Sequence, residues 1–482
     1  MRPHVKVASL LTVAILLAGL TPALAADYSA LGIDTGQDLG LTVQMNQDGS
    51  ARKLVNNDRK PGIGSASEIA GKFIADNALT LFGVEAAADK AGGVLFGDAV
   101  LQDLRVTSSL SGIHVWKQAY VDGVPVHNGY VVTHLSNDLQ VLFVTNDLGR
   151  GTFELRADKS TLDREGALAL AMETIGGDGE TRAAPKAELV ILRTEEGDLL
   201  TWRTEVPTFR PYGDWEIFID ANSARTVRTS DLLVCIKPEE KPEFITPPVD
   251  NVRSDIRLDK GATVTGTGEV FIANPLNDHP ERYSWREFEP QLTGVTDAVS
   301  LTNLDGSGLL VGPWVEVFNS SAARANEPTL TYVYDPTIVA GHFQEVNVYY
   351  HINEFQEYFQ NVLGIPNARN RVTDCYAHQG SDDNSDYSPS QDRIRYGDGG
   401  VDDSDDGEIV LHEYGHAVHN DIVPGFVYAG ESGAISEGFG DYFGATYGNN
   451  PLVGEWDATS YNPGPPPHLR RTDTDKHYPE DI

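Results

Sequence analysis

At 482 residues the chain is too long for one hydrophobic core, and its length corresponds to about two to four domains. Its 40% hydrophobic and 22% charged content is that of ordinary globular protein and excludes wholesale disorder. A formal net charge of −35 at pH 7 repels nucleic acid and anionic lipid, so neither is expected as a partner.

The N-terminus reads as an export segment. Arg2, His4 and Lys6 precede an apolar run over residues 7–20, and Ala23-Leu24-Ala25 then offers a small-residue cleavage site. The run is too short to span a bilayer comfortably, which predicts a signal peptide over residues 1–25 and a secreted, extracellular product. No later stretch is long and apolar enough to cross a membrane. The two cysteines, Cys235 and Cys375, could form a disulfide after export, but their number does not imply one, and there is no Cys-x-x-Cys metal pair.

Residues 26–235 alternate helical and strand patterns. Ser65-Ala66-Ser67-Glu68 has capping-box spacing, and Ile69, Phe73, Ile74 and Leu81 follow at helical intervals. Strands are predicted over 112–121, 130–135 and 139–145, the last two joined as a hairpin at Asn137-Asp138. A helix over 164–175 and strands near 189–192, 200–205 and 215–220 complete this half. His114, His127 and His134 are scattered over strand-like segments and read as structural or surface groups. Residues 236–262, with Pro238, Pro242, Pro247 and Pro248 among charges, read as a linker, and the maturation cut is expected between residues 230 and 265. A β-rich region follows to about residue 340. Over 345–363 the pattern turns helical, with Val348, Ile352, Phe355, Phe359 and Val362 at spacings of four and three. Residues 376–407 read as a polar, acidic loop region. A helix is expected from about Gly407, with Asp405, Asp406 and Glu408 at its positive end.

That helix carries the chemistry. His412 and His416 are four apart, about 40° of rotation, so both imidazoles face one way and can share a zinc ion. Glu413 lies about 100° round the helix, placed to act as general base on metal-activated water rather than as a ligand. A catalytic zinc needs a third protein ligand, and the best candidate is Glu437, in Glu431-Ser432-Gly433-Ala434-Ile435-Ser436-Glu437-Gly438-Phe439-Gly440-Asp441. On a helix Asp441 shares the face of Glu437 and can accept a hydrogen bond from the far nitrogen of a liganding histidine, His412 being the better placed.

These segments, with Val423-Pro424-Gly425-Phe426 and Ser436 through Tyr442, resemble the bacterial branch of the fungalysin metallopeptidases. The stretch 431–444 also resembles the thermolysin family. Residues 112–148, including Gly123-Val124-Pro125-Val126, resemble the propeptide domain of the same families. The resemblance implies a zinc metalloendopeptidase made as a zymogen, acting on protein or peptide substrates, with its own propeptide as intramolecular inhibitor. It implies one catalytic Zn2+ held by His412, His416 and Glu437, with Glu413 as base. Tyr428 falls where such enzymes place an oxyanion-stabilising tyrosine, once one inserted residue is allowed, and Asn384 matches a substrate-binding asparagine. A family Ca2+ site would draw on Glu408, but Gly448 stands where its second acidic residue belongs. The family also places a catalytic histidine in a helical domain beyond the zinc site. Here His468 and His477 lack its context and the chain stops at Ile482, which implies a fragment or a truncated protein of weak zinc binding and poor activity.

The architecture expected is α+β: a signal peptide over 1–25, a propeptide domain over 26–150, a second α+β propeptide unit over 151–235, the linker 236–262, and an incomplete metallopeptidase domain over 263–482. Two rivals remain. The chain could be a catalytically inactive, propeptide-like inhibitor or binding protein. Alternatively, residues 402–413, Asp402-Asp403-Ser404-Asp405-Asp406-Gly407 with Glu413 at the twelfth place, match the spacing of an EF-hand calcium loop.

Overall fold

A computed structural model describes residues 33–34, 40–46, 49–109, 111–154, 160–177, 179–195, 197–235, 263–276, 290–338, 341–365, 368–423, 430–462, 464 and 466–475. The expected signal peptide, the linker 236–262, Tyr428 and His477 lie outside the described residues. By compactness the chain divides into one unit of residues 1–160 with 189–201, and a second of residues 161–188 with 202–482. The strands Lys186–Thr194 and Gly197–Phe209 are divided between the two.

In the first unit, strands β1 (Leu41–Met45), β2 (Ala51–Asn56), β3 (Ala99–Ser109), β4 (Gly112–Val121), β5 (Val124–Leu135) and β6 (Val141–Asn146) pair antiparallel in the order β1-β2-β6-β5-β4-β3. Helix α1 (Ala66–Asp76) starts at a complete capping box, the Ser65 hydroxyl accepting from the Glu68 amide and the Glu68 carboxylate from the Ser65 amide. Its Ile69 and Ala70 pack with Val115, Leu135 and Val141. The apolar face read from the sequence is therefore what covers this part of the sheet.

The second unit begins with helix α2 (Arg164–Ile175), capped by Asp163, and strands β7 (Tyr212–Asp220) and β8 (Thr226–Asp231), an antiparallel pair. Strand β9 (Val234–Cys235) then leaves that hairpin for another sheet. Later come β10 (Val264–Val270), β11 (Asp297–Leu304), β12 (Val315–Phe318), β13 (Thr331–Tyr332), helix α3 (Phe343–Glu357), β14 (Thr373–Tyr376), β15 (Asp386–Ser388) and β16 (Arg393–Arg395). One sheet has the order β9-β15-β16-β14-β12, the other β11-β10-β13. Residues 376–407, expected as loop, thus supply two short strands. These strands pair through backbone hydrogen bonds and are buried throughout, so no apolar–polar alternation marks them in the sequence.

Helix α3 buries Val348, Ile352 and Phe355 completely or nearly so. It does not continue regularly to residue 363: Tyr358–Val362 form a π-turn, whose wider winding rotates the following residues off the apolar face. Val362 is 70% exposed, so the expected stripe ends at Phe359. Beyond it lie helices α4 (Gly407–Ile422) and α5 (Gly430–Gly448) and the strands β17 (Leu452–Val453) and β18 (Arg470–Arg471), which pair antiparallel. The core between α3, α4 and the five-stranded sheet holds Tyr349, Ile352, Phe355, Cys375, Ile394, Val410, Leu411, Tyr414 and Val418. The two cysteines are buried free thiols, with no disulfide between them.

Candidate metal centre

Helix α4 starts where the sequence changes from aspartates to apolar residues. The Asp406 carboxylate caps it by accepting from the Glu408 amide at 3.0 Å. Gly407 is required there: a Cβ would meet the His351 ring at 2.6 Å and the Ala273 carbonyl oxygen at 2.7 Å. The helix begins at the sixth position of the would-be EF-hand loop, so residues 402–413 do not form a calcium loop. Glu413 sits instead on a buried helical turn between the two histidines.

Helices α4 and α5 cross closely, and glycines permit it. A Cβ on Gly440 would meet His412 Nδ1 at 2.6 Å, and one on Gly415 would meet Gly440 Cα at 3.0 Å. The approach brings donor atoms of His412, His416 and Glu437 within 4.8 Å of one another. The two Nε2 atoms are 3.1 Å apart, with Glu437 oxygens 3.3 Å from His412 Nε2 and 3.6 Å from His416 Nε2. The far nitrogens are occupied: His412 Nδ1 lies 2.9 Å from Asp441 Oδ1 and His416 Nδ1 lies 3.0 Å from Ser436 Oγ. With the Nδ1 hydrogens of neutral rings donated outward, two Nε2 lone pairs and a carboxylate face one point, an arrangement suited to a cation.

Electrostatics follow from this crowding. Burial opposes charge on His412, but the carboxylates of Asp441 and Glu437 push its pKa up to about 9. Burial and the neighbouring His412 charge hold His416 well below its ordinary value. Burial works against the Asp441 carboxylate, yet Arg470 and His412 together hold its pKa below the usual range. Burial raises the Glu413 carboxyl well above that range, His412 pulling the other way. Glu413 is fully buried and neither of its oxygens has a hydrogen-bond partner. Two facing imidazoles and the Glu437 carboxylate, with this unpartnered carboxylate beside them, fit a zinc ion with open coordination.

Two participants had no role in the sequence reading. Arg470 on β18 donates to both oxygens of Asp441, from Nε at 2.8 Å and Nη2 at 2.9 Å, and approaches Glu437 at 3.5 Å. Ser436 holds the far side of His416. Arg470 is 29 residues from Asp441, beyond any local spacing rule, whereas Ser436 precedes Glu437 and was open to the same helical argument as Asp441. Asn384, buried, stands two residues before β15, and His468 lies in a loop with Nδ1 at 3.0 Å from the Pro466 carbonyl. Glu408 is buried, with Oε1 2.6 Å from where a Cβ on Gly448 would stand. Two further clusters lie in this unit. His378 has both ring nitrogens engaged, by Asp398 and by the Gly341 carbonyl. Asp383, Asp403 and Asp457 accept from the hydroxyls of Ser460, Ser385 and Tyr461 respectively.

No family model matches the chain. Among curated proteins it is similar to bacillolysin of Bacillus subtilis (strain 168), 23% identical over 362 residues, covering 70% of this chain and 60% of that one. It is also similar to bacillolysin of Bacillus cereus, 24% identical over 420 residues, 79% of this chain and 69% of that one. Thermolysin of Bacillus sp. (strain EA1) is 26% identical over 372 residues, 71% of this chain and 60% of that one. These similarities point to the thermolysin-like metallopeptidases. The chain spans about 60% of the length of the Bacillus subtilis relative. A solved chain, the Bacillus megaterium YpeB C-terminal domain, aligns with 40% of this chain and 75% of its own at 14% identity. Its TM-score of 0.20 is too low to carry any argument about the fold. The thermolysin-like resemblance agrees with the mixed α and β content and with a His-His-Glu group able to bind a metal. Among the described residues no helix is long and apolar enough to cross a membrane.

Proposed function

We propose that the chain is the precursor of a secreted zinc metalloendopeptidase of the bacterial fungalysin-like branch, hydrolysing peptide bonds in protein substrates. The observation that carries this reading is the convergence of His412 Nε2, His416 Nε2 and a Glu437 carboxylate while Asp441 and Ser436 hold the opposite ring nitrogens. A zinc ion bound there would polarise the scissile carbonyl and acidify a water. Glu413, adjacent in sequence but turned off the ligand pair, takes the proton from the attacking water and later returns it to the leaving amine. Its burial and its raised pKa suit a base that must give the proton back. Asp441, itself charged and clamped by Arg470, fixes the His412 tautomer. Asn384 and Tyr428 are assigned to substrate backbone and oxyanion respectively. Residues 26–235 act as the propeptide and residues 1–25 as the export signal.

The test uses the full chain, with zinc read on the precursor and casein cleavage read after limited proteolysis within residues 230–265, and two variants. Glu413→Gln keeps one zinc per chain, while chelator-sensitive casein cleavage falls by about 10²–10⁴-fold. His416→Ala loses both. Zinc retained in His416→Ala, or cleavage undiminished in Glu413→Gln, contradicts the assignment.

A further inference from the structure

The outer partners of the two facing imidazoles are not equivalent. Asp441, ionised, can only accept, so the His412 Nδ1 that faces it at 2.9 Å carries a hydrogen, and a neutral ring keeps its lone pair on Nε2. Ser436 is fully buried, and its hydroxyl lies 3.0 Å from His416 Nδ1. A hydroxyl both donates and accepts. If it donates to Nδ1, the hydrogen of a neutral His416 ring stands on Nε2, facing His412, and the ring is no ligand. If it accepts from Nδ1, Nε2 can bind. Ser436 by itself does not choose between these tautomers.

The choice depends on where the hydroxyl hydrogen goes. His419 Nδ1 lies 3.2 Å from the same Ser436 oxygen. His419 follows His416 by three residues on α4, within one helical turn, and Ser436 reaches both rings from α5. The helix crossing also holds the His419 ring. It is 8% exposed and lies against Phe439 of α5, with centroids 5.2 Å apart and planes tilted by 45°. Phe439 follows Ser436 by three residues, so one turn of each helix builds the whole arrangement. Burial lowers the His419 pKa from its ordinary value, which favours the neutral ring, the form that has an acceptor nitrogen.

We propose that His419 is a positioning residue for the metal centre: its Nδ1 accepts the Ser436 hydroxyl hydrogen, which turns the Ser436 lone pairs toward His416 and fixes that ring as the tautomer with its lone pair on Nε2. The inference rests on the zinc reading above and adds to that site a residue that acts through another side chain. The donors run in one direction, from His416 Nδ1–H to Ser436 Oγ and from Ser436 O–H to His419 Nδ1, leaving the His419 hydrogen on Nε2. Each facing ring then has an outer partner of defined polarity. For His412 a carboxylate charge supplies it, and for His416 a relay through a hydroxyl does.

The test reads zinc affinity by competition with a chelator on the full chain, as a cycle of variants. His419→Phe keeps an aromatic ring against Phe439, removes the acceptor and weakens zinc binding about fivefold. Ser436→Ala weakens it about tenfold. In the Ser436→Ala background His419→Phe has no further effect, because the group it acts through is gone. His419→Asn, whose Oδ1 can take the same hydrogen, recovers most of the loss. Nitrogen-15 spectra of the zinc-loaded, histidine-labelled wild-type chain, with the His419 signals assigned by their disappearance in His419→Asn, show a bare Nδ1 and a protonated Nε2. A His419→Phe loss of equal size in both backgrounds, no loss in either, or a protonated His419 Nδ1 in the wild-type chain overturns the proposal and leaves the zinc reading standing. Zinc held as tightly by His416→Ala as by the wild-type chain, or none bound by the wild-type chain, overturns both.

Discussion

Two pairs of histidines in this chain bring ring nitrogens about equally close, and they do opposite things. In the first unit His114 and His134 are cross-strand neighbours on β4 and β5, with Nδ1 atoms 2.8 Å apart. Ser109 engages the far side of His114, and His134 stacks on Phe143. No further acidic, cysteine or histidine donor groups with them among the described residues. Such a pair is satisfied by one shared hydrogen and needs both rings neutral or only one charged. In the second unit the facing atoms are the Nε2 of His412 and His416, their Nδ1 hydrogens are committed to Asp441 and Ser436, and Glu437 completes the group. Proximity of imidazoles therefore says little. What makes a ligand set is the outer partner on each ring and the third donor.

The largest effect expected from breaking that contrast is at the helix crossing. Gly440→Ala drives a Cβ into the His412 ring and pushes Nε2 off the shared point. Zinc affinity, read by competition with a chelator, falls by about 100-fold, and unchanged affinity would show that the crossing does not position the ring. Asp441→Asn keeps the shape and removes the charge, and the same assay gives a loss nearer tenfold.

The first pair sets a pH dependence instead. Burial, with the charges of His114 and Lys53, pushes His134 down to about 4, and burial also lowers His114. The unfolded chain then binds protons below about pH 6.5 that the folded unit refuses. Stability contributed by the neutral pair is present above 6.5 and is lost progressively as pH falls toward 4. Thermal unfolding followed across that range shows a decline that His134→Gln flattens; an equal slope in the variant would exclude the pair as its source. A smaller, purely local effect comes from Ser65→Ala, which removes one arm of the capping box on α1 and costs about 1 kcal/mol in denaturant unfolding. The double change His114→Asn with His134→Asn leaves zinc content at the wild-type value, and a drop would mean that the first pair also binds the metal.

The same contrast explains what was legible in the sequence. Helix α2 and strand β4 were readable because their signals are local, a helical pattern over 164–175 and an uninterrupted strand pattern over 112–121. The four-residue spacing of His412 and His416, and of Glu437 and Asp441, carries helical geometry directly. Pairing between distant segments has no such mark. Nothing near Val234 announces that it will lie on Tyr387, and nothing near Arg470 announces Asp441. The π-turn at Tyr358–Val362 keeps the apolar spacing of a regular helix and still rotates Val362 into solvent. The aspartate run at 402–406 has EF-hand spacing, yet the apolar residues after it nucleate α4 too early for a loop.

X-ray absorption at the zinc edge of the purified chain tests the central claim most directly. The account predicts one zinc per chain whose spectrum carries the outer-shell scattering of two imidazoles, both lost together in His416→Ala. Zinc without imidazole scattering, or a spectrum unchanged by that substitution, would contradict it.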